Sequence, residues 1–422
     1  MHIGLTSLGI SGLNNKSGPL GFTQPTLSDL APYAGVSSVG GYTKYTDVPW
    51  GPTFGVSSWA EPTLGGQVVA PVMTIYMPNV AVPPGGYGLI VRAHANGSDH
   101  VITEGSGSLW TYLVEPAMAA GYVVATIEFR HPVANVSLGA PHNDTGYCLQ
   151  FLRACSSALN INTNRIHGFA QSRGNLLLWQ TVATDLADAT NPSFAKKQSS
   201  KIKSLWGLNT QDSYSTTEYI NEKVVPADQA ACLADPAYAD DVRWGSAKTL
   251  IQNGTQELPY LCATYDNAFL NALPAHTVGR YTKAAIDADA NLRVHCPEFG
   301  QALWKSYTAR GLTSKITVCD SISGGLVTMG DAVKWFEIID TDTGISAKAA
   351  RVQALQRRLG GTLHYFENPA VGAYISQANP TPVTTLGNTF GVMIDGAWGR
   401  ANRLNTSSPL GATMIQTTST VR

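Results

Sequence analysis

The stretch Tyr-Val-Val-Ala-Thr-Ile-Glu-Phe-Arg at residues 122–130 is almost continuous in β-branched and apolar residues. A strand with one face in water alternates polar and apolar residues. A strand without alternation is covered on both faces, as in parallel sheets sandwiched between helices. Parallel neighbours need long crossovers, usually helical, so this run predicts strands alternating with helices.

The surrounding chain keeps that cadence. Residues 68–78 (VVAPVMTIYMP) and 87–94 (YGLIVRAH) read as strands, and 110–122 reads as a helix with Pro116 marking its start or a kink. After 122–130 come a helix over 143–159, the short strand 165–170 (RIHGFA) and a helix over 174–187. Strands 201–209, 258–266 and 314–320 follow, interleaved with helical stretches at 281–290 and 297–311 and the short run Asn-Leu-Arg-Val-His. Two more helices (DAVKWFEIID and SAKAARVQALQRRLG) close the regular part, and Phe-Gly-Val-Met-Ile-Asp in the tail is strand-like. The expected fold class is α/β, with a mostly parallel, doubly wound sheet. We divide the chain into an N-terminal Gly/Ser/Thr-rich extension (1–66) packed on the body, a core (67–345) with an inserted cap at about 210–257, and a C-terminal helix with a Thr/Asn-rich extension (346–422). The aromatics Tyr33, Tyr42, Tyr45, Trp50 and Trp59 argue for order in the first of these.

Charge narrows the function. Only 14% of the 422 residues are charged and the net charge is −1, so nucleic acid meets no basic footprint. A near-neutral surface repels its own copies weakly, which is compatible with a homo-oligomer or assembly in a particle. No apolar run reaches the ~20 residues of a membrane span, and the first residues carry no Sec-type signal, so a cytoplasmic or particle-associated chain is expected. Six scattered cysteines without a C-x-x-C pair read as buried thiols, not a zinc site or a disulfide frame. No cofactor or metal is implied. "PPGGYG" precedes a strand instead of opening a helix, which argues against a dinucleotide site. Asn96-Gly-Ser and Asn135-Val-Ser are formal glycosylation acceptors and no more.

The chemistry centres on Gly-Phe-Ala-Gln-Ser-Arg-Gly-Asn at 168–175. The spacing A-x-S-x-G places Ser172 between a strand and a helix, with small residues, Ala170 and Gly174, where a tight turn needs them. Such a turn pushes the hydroxyl outward and leaves the Arg173 amide free to meet an oxyanion. A serine there also serves as an ordinary helix N-cap.

The context extends the pattern. His94-Ala95-Asn96-Gly97 follows a strand upstream, residues 115–132 (EPAMAAGYVVATIEFRHP) pair a helix with a strand, and 143–174 end in the serine turn. Over residues 70–320, and most specifically 87–180, the chain resembles α/β-hydrolases of the esterase/lipase and dienelactone-hydrolase type. It departs from their usual form in having Ala170 in place of glycine. The resemblance implies oxyanion donors from Ala95 or Asn96 and from Arg173, and a chain order of serine, acid, histidine. Asp266, after the strand that follows the cap, fits the acid; Asp212, after the preceding strand, is the alternative. The base is His295 or His364, or is missing, since an alternative alignment puts Cys319-Asp320-Ser321 where a histidine belongs. His276 fits either a structural or a catalytic role, and His100, His131, His142 and His167 read as structural. The expected function is a serine carboxylesterase hydrolysing small or carbohydrate-linked acyl esters through an acyl-enzyme. The competing expectation is a catalytically impaired hydrolase fold serving as a structural or adhesive part of a virion or surface layer.

Overall fold

In the computed structural model, the structure describes residues 19–359 apart from 62–63, 132–138, 214–215, 236–246, 266–280, 290, 297 and 321–327. Beyond these it describes the strands at 362–368, 373–375, 393–395 and 414–416. The strands are β1 (Ala34–Val36), β2 (Thr43–Pro49), β3 (Trp59–Glu61), β4 (Gln67–Val69), β5 (Val72–Tyr76), β6 (Tyr87–Ala93), β7 (Tyr122–Ile127) and β8 (Ile161–Gln171). They continue with β9 (Ser204–Leu208), β10 (Tyr260–Tyr265), β11 (Ile316–Asp320), β12 (Thr362–Asn368), β13 (Ala373–Ile375), β14 (Met393–Asp395) and β15 (Met414–Gln416).

One sheet runs β1-β2-β5-β7-β6-β8-β9-β10-β11-β13-β12-β14, with β15 also on β12, while β3 and β4 form a separate hairpin. From β7 to β13 every pairing is parallel; β1, β2 and β5 at one edge, and β12, β14 and β15 at the other, are antiparallel. The architecture is the α/β class expected from the run at 122–130, whose strand β7 is buried at every residue.

Alternate residues feed two cores. Leu89, Val91, Val123 and Ala125 join one cluster with residues of the helices Gly139–Ala154, Leu176–Val182 and Glu298–Ala309. Ile90, Tyr122 and Val124 join another with residues of Glu115–Ala119, Thr328–Thr341 and Ala347–Leu359. Helices thus cover both faces, which is why the central strands carry no polar alternation.

Two local expectations are redrawn. Residues 68–78 are two strands in different sheets, split at Ala70-Pro71, because proline has no N–H to donate to a ladder. The stretch 110–122 is a π-type turn (Trp110–Val114) and a short helix ending at Ala119. Pro116 sits in its first turn, and Gly121 at φ +77° redirects the chain into β7. The run Asn-Leu-Arg-Val is one helical turn, Asn291–Val294. Five cysteines (Cys148, Cys155, Cys232, Cys262 and Cys296) are buried free thiols. Among the described residues no helix is long and apolar enough to cross a membrane.

The strand order fixes where a ligand fits. The chain passes from β6 to β7 on one side, then crosses to β8 on the other. Such a reversal opens a crevice at the carboxyl ends of the two flanking strands. Here those ends are Ala93 on β6 and Gln171 on β8.

Candidate active site

Ser172 begins where β8 stops. Its backbone has φ +50°, the left-handed region that a residue with a side chain seldom enters. The surrounding structure holds it there. Asn175 Nδ2 donates to the Ser172 carbonyl at 2.7 Å, and residues 172–175 form a single 3-10 turn leading into the helix Leu176–Val182. A Cβ on Gly174 would stand 2.2 Å from the Ala93 carbonyl oxygen and 2.9 Å from that of His94. Only glycine lets the turn lie so close to the end of β6. Ala170 is buried opposite Ala93 and Gly207, and nothing larger is needed there. Strain kept at such a turn points to function more than to capping.

The half-buried Ser172 Oγ lies 2.8 Å from His295 Nε2. His295 follows the single turn Asn291–Val294, whose last carbonyls have no partner within the turn. Two residues from the cap segment supply partners. Gln211 Nε2 donates to the Val294 carbonyl at 2.6 Å, and the Tyr219 hydroxyl donates to that of Leu292 at 2.9 Å. Gln211 is itself held, its carbonyl accepting from Trp179 Nε1 at 3.2 Å. Burial pushes the His295 imidazole below its ordinary pKa, and the Asp289 carboxylate opposes that shift. A neutral imidazole within hydrogen-bond reach of a hydroxyl can accept its proton.

The loop after β6 starts where Gly174 lies against the Ala93 and His94 carbonyls. The backbone amides of Ala95 and Asn96 have no hydrogen-bond partner among the described residues. Neither is deeply buried. Free backbone amides are the donor type that stabilises an oxyanion. Arg173, whose amide is the third candidate, lies in the 3-10 turn itself.

The remaining candidates are distributed as follows. Asp266 lies outside the described residues, one position past the end of β10. His276 lies outside them as well. Asp212 is fully buried and faces Lys223 Nζ at 3.5 Å and Lys248 Nζ at 4.0 Å, making no hydrogen bond to His295. Burial pushes its carboxyl up to about 6 against the pull of those lysines. His364 is on β12, five strands from β8, on the order of 24 Å at ~4.8 Å per strand. His295 Nδ1 has no hydrogen-bond partner among the described residues. Sequence reasoning passes over Asp289, Gln211 and Tyr219. The signal for the last two is a cap polar group meeting a one-turn helix, which needs the fold to be seen.

No family model and no curated protein sequence matches the chain. Solved structures do. A truncated carbohydrate esterase from gut microbiota is 14% identical over 73% of this chain and 100% of its own, with TM-score 0.43. The acetyl ester-xyloside bifunctional hydrolase of Caldicellulosiruptor lactoaceticus is 16% identical over 64% and 89%, with TM-score 0.42. A PNB esterase is 10% identical over 77% and 89%, with TM-score 0.40. Likenesses of this size carry no argument about chemistry, which rests on the site.

Proposed function

We propose that the chain is a serine esterase. The observation that carries this is the 2.8 Å contact between His295 Nε2 and a serine held at positive φ at a strand's carboxyl end. In this reading Ser172 Oγ attacks the ester carbonyl carbon while His295 takes its proton. The oxyanion formed is met by the amides of Arg173 and of Ala95 or Asn96. Loss of one such donor costs about 3 kcal/mol of transition-state stabilisation. Collapse of the tetrahedral species expels the alcohol, which takes the proton from His295 and leaves an acyl-serine. Water then attacks the acyl carbon, gives its proton to His295, and the carboxylic acid departs as that proton returns to Ser172. Asp266 is proposed as the acid that fixes the ring's tautomer. The Tyr- and Asp-rich cap sequence favours small or carbohydrate-linked acyl esters over long apolar chains.

A fluorophosphonate label and p-nitrophenyl acetate test the proposal. Wild type labels and turns over, and Ser172→Ala loses both. A wild type that does neither transfers the fold to the second reading, a structural or adhesive component, which the sparse charge and Gly/Thr/Asn-rich ends favour.

A further inference from the structure

The loop that offers the Ala95 and Asn96 amides is anchored at both ends by one buried carboxylate. Glu128 follows β7 directly and is 1% exposed. Its Oε1 is 3.1 Å from His94 Nε2, at the start of the loop. Its Oε2 is 3.1 Å from His100 Nδ1 and accepts from the His100 backbone N–H at 3.2 Å, at the loop's end. Arg92 Nη1 adds a tether, donating to the Asp99 carbonyl at 2.8 Å. Between the two histidines, Asn96 and Gly97 are exposed and Ala95, Ser98 and Asp99 are partly so.

The chemistry of the two rings fits a permanent clamp. Both nitrogens of His100 face carboxylates, Glu128 and, at 3.0 Å, Asp47 Oδ1, an arrangement that favours the protonated ring, which donates from both. Burial works against that charge, but the two carboxylates hold the His100 pKa above its ordinary value. Burial likewise opposes the charge on Glu128, and the two histidines outweigh it, bringing the carboxyl down to about 2. His94 is gripped from its faces too. The His131 ring stacks on it at 4.8 Å and 25°, with Phe129 at 4.8 Å. Among the described residues His131 has no hydrogen-bond partner at either nitrogen, and burial lowers its pKa well below the ordinary histidine value, which disfavours a second charge against His94. Asp47 reaches His100 from a β2 residue at φ +52°, where the β2–β5 register shifts.

Burying a carboxylate costs several kcal/mol that apolar residues of the same volume avoid. Here both arms of that carboxylate end on the same loop. We propose that Glu128 is a positioning residue for ester hydrolysis: through His94 and His100 it fixes both ends of the 94–100 loop, so that the Ala95 and Asn96 amides stand ready for the oxyanion. The role rests on the reading of Ser172 as nucleophile. Glu128 touches no reacting atom and acts only through the loop.

The test uses the full chain with wild type, Glu128→Gln and His100→Asn. Three quantities are read: kcat and KM for p-nitrophenyl acetate, the inhibition constant of an aryl trifluoromethyl ketone, whose serine adduct carries an oxyanion, and the melting temperature. Glu128→Gln is expected to lower kcat on the order of 10- to 100-fold, part of what full loss of an oxyanion donor costs. KM stays within about 3-fold and the ketone weakens by the same factor as kcat. His100→Asn, which removes the imidazole tie but keeps the backbone N–H bond to Glu128, shows a smaller loss with the same split, and it carries the test if Glu128→Gln does not fold. Unchanged kcat and ketone affinity in a folded variant overturns the role, as does a loss confined to KM. A wild type that neither labels nor turns over overturns the esterase reading and this role with it. A wild type that does both, beside an unaffected Glu128→Gln, overturns the positioning role alone.

Discussion

Among the described residues two places bring a serine hydroxyl to a histidine ring, and they sit at opposite ends of the same part of the sheet. At the carboxyl end of β8, Ser172 Oγ meets His295 Nε2 at 2.8 Å. At the amino end of β9, Ser204 Oγ meets His167 Nδ1 at 2.7 Å, and His167 Nε2 meets Asp340 Oδ2 at 3.1 Å. By distances alone the second set is the more complete, since it has serine, histidine and aspartate in line. Yet Ser204 and His167 are fully buried. Asp340 is also bound by Tyr122 Oη, Arg165 Nε and Lys203 Nζ, each at 2.8 Å. Burial opposes the charge on Asp340, but His167 first, then Lys203 and Arg165, hold its carboxyl far below the usual carboxylate range.

The difference lies in what surrounds the pair. Ser204 is an in-register strand residue paired with His167 and Tyr260, and its backbone belongs to the ladder. Ser172 has left the ladder through a left-handed turn and stands half-buried at the end of β8, its hydroxyl on His295. His167 stacks on Phe336 at 4.8 Å and fills the second core, whereas His295 sits at the end of one helical turn held by the cap. The same residue types make a polar tie between sheet and helix in one place and, in the other, the pair on which the proposed chemistry rests. Access and backbone conformation separate them, not composition.

Substitution breaks the comparison most sharply at the two histidines' partners. His295→Ala should lower kcat on the order of 10⁴-fold or more, as removal of a triad base does. Ser204→Ala should leave kcat and fluorophosphonate labelling within about 3-fold, costing about 1 kcal/mol of stability for a lost buried hydrogen bond. If Ser204→Ala abolishes labelling while Ser172→Ala retains it, the assignment of the two sets is reversed. Next in size is the acid. Asp266→Asn should lower kcat on the order of 10⁴-fold through the wrong imidazole tautomer. Asp289→Asn should cost less than about 10-fold, since no hydrogen bond joins it to His295. The opposite ranking would make Asp289 the acid.

How much of this was legible follows the same divide. The parallel sheet could be read from the unbroken apolar run of β7, because two-sided burial erases alternation. Ser172 could be read because a strand–turn–helix needs small neighbours at fixed spacing. The position of His167 inside a strand points to a structural role, and it is tied to Asp340. Nothing local links His167 to Asp340, 173 residues apart, or Glu128 to the loop ends at His94 and His100. Such pairs are made by topology, and spacing along the chain does not encode them. The same holds for Tyr219 and Leu292, which meet only because the cap folds back over the helical turn before His295.

Asp340→Asn sharpens the structural side. Removing the charge leaves Arg165 and Lys203 beside an uncompensated site, and breaking a mostly buried ion cluster costs about 3–5 kcal/mol. Part of that is discounted because both cations are partly exposed. Urea denaturation should show the loss while kcat of the folded protein stays within about 2-fold. The pH dependences should separate in the same way. Asp340's folded pKa lies below its unfolded value, so its contribution is full above about pH 4 and is lost as pH falls through the folded value. His167's folded pKa is lowered by burial and by the Lys203 and Arg165 charges, against Asp340. The unfolded chain therefore takes up protons first, and stability starts to fall below about pH 6.5. For His295 the lowered value governs rate: the acid limb of kcat/KM should have its midpoint below about 6.5. Asp340→Asn should shift the stability profile and leave that limb where it is. A limb that moves with Asp340→Asn would join the two sets into one.

The smallest effect tests whether the cap helps to aim the base. Tyr219→Phe removes one hydroxyl and its 2.9 Å bond to the Leu292 carbonyl while keeping the ring, which is buried and tilted against Phe299 at 5.9 Å. One neutral hydrogen bond is worth about 1 kcal/mol, so if that energy holds His295 in line, kcat falls about 5-fold at constant KM. Gln211 still holds the Val294 carbonyl, which is why the loss should be modest. Ser204→Ala, another single-hydroxyl deletion of similar cost to stability, serves as the control. Equal melting temperatures with a kcat loss only in Tyr219→Phe would assign the bond to orientation of the ring. Equal kcat in both would leave Tyr219 as packing, and the cap would then matter to this site only through what it admits.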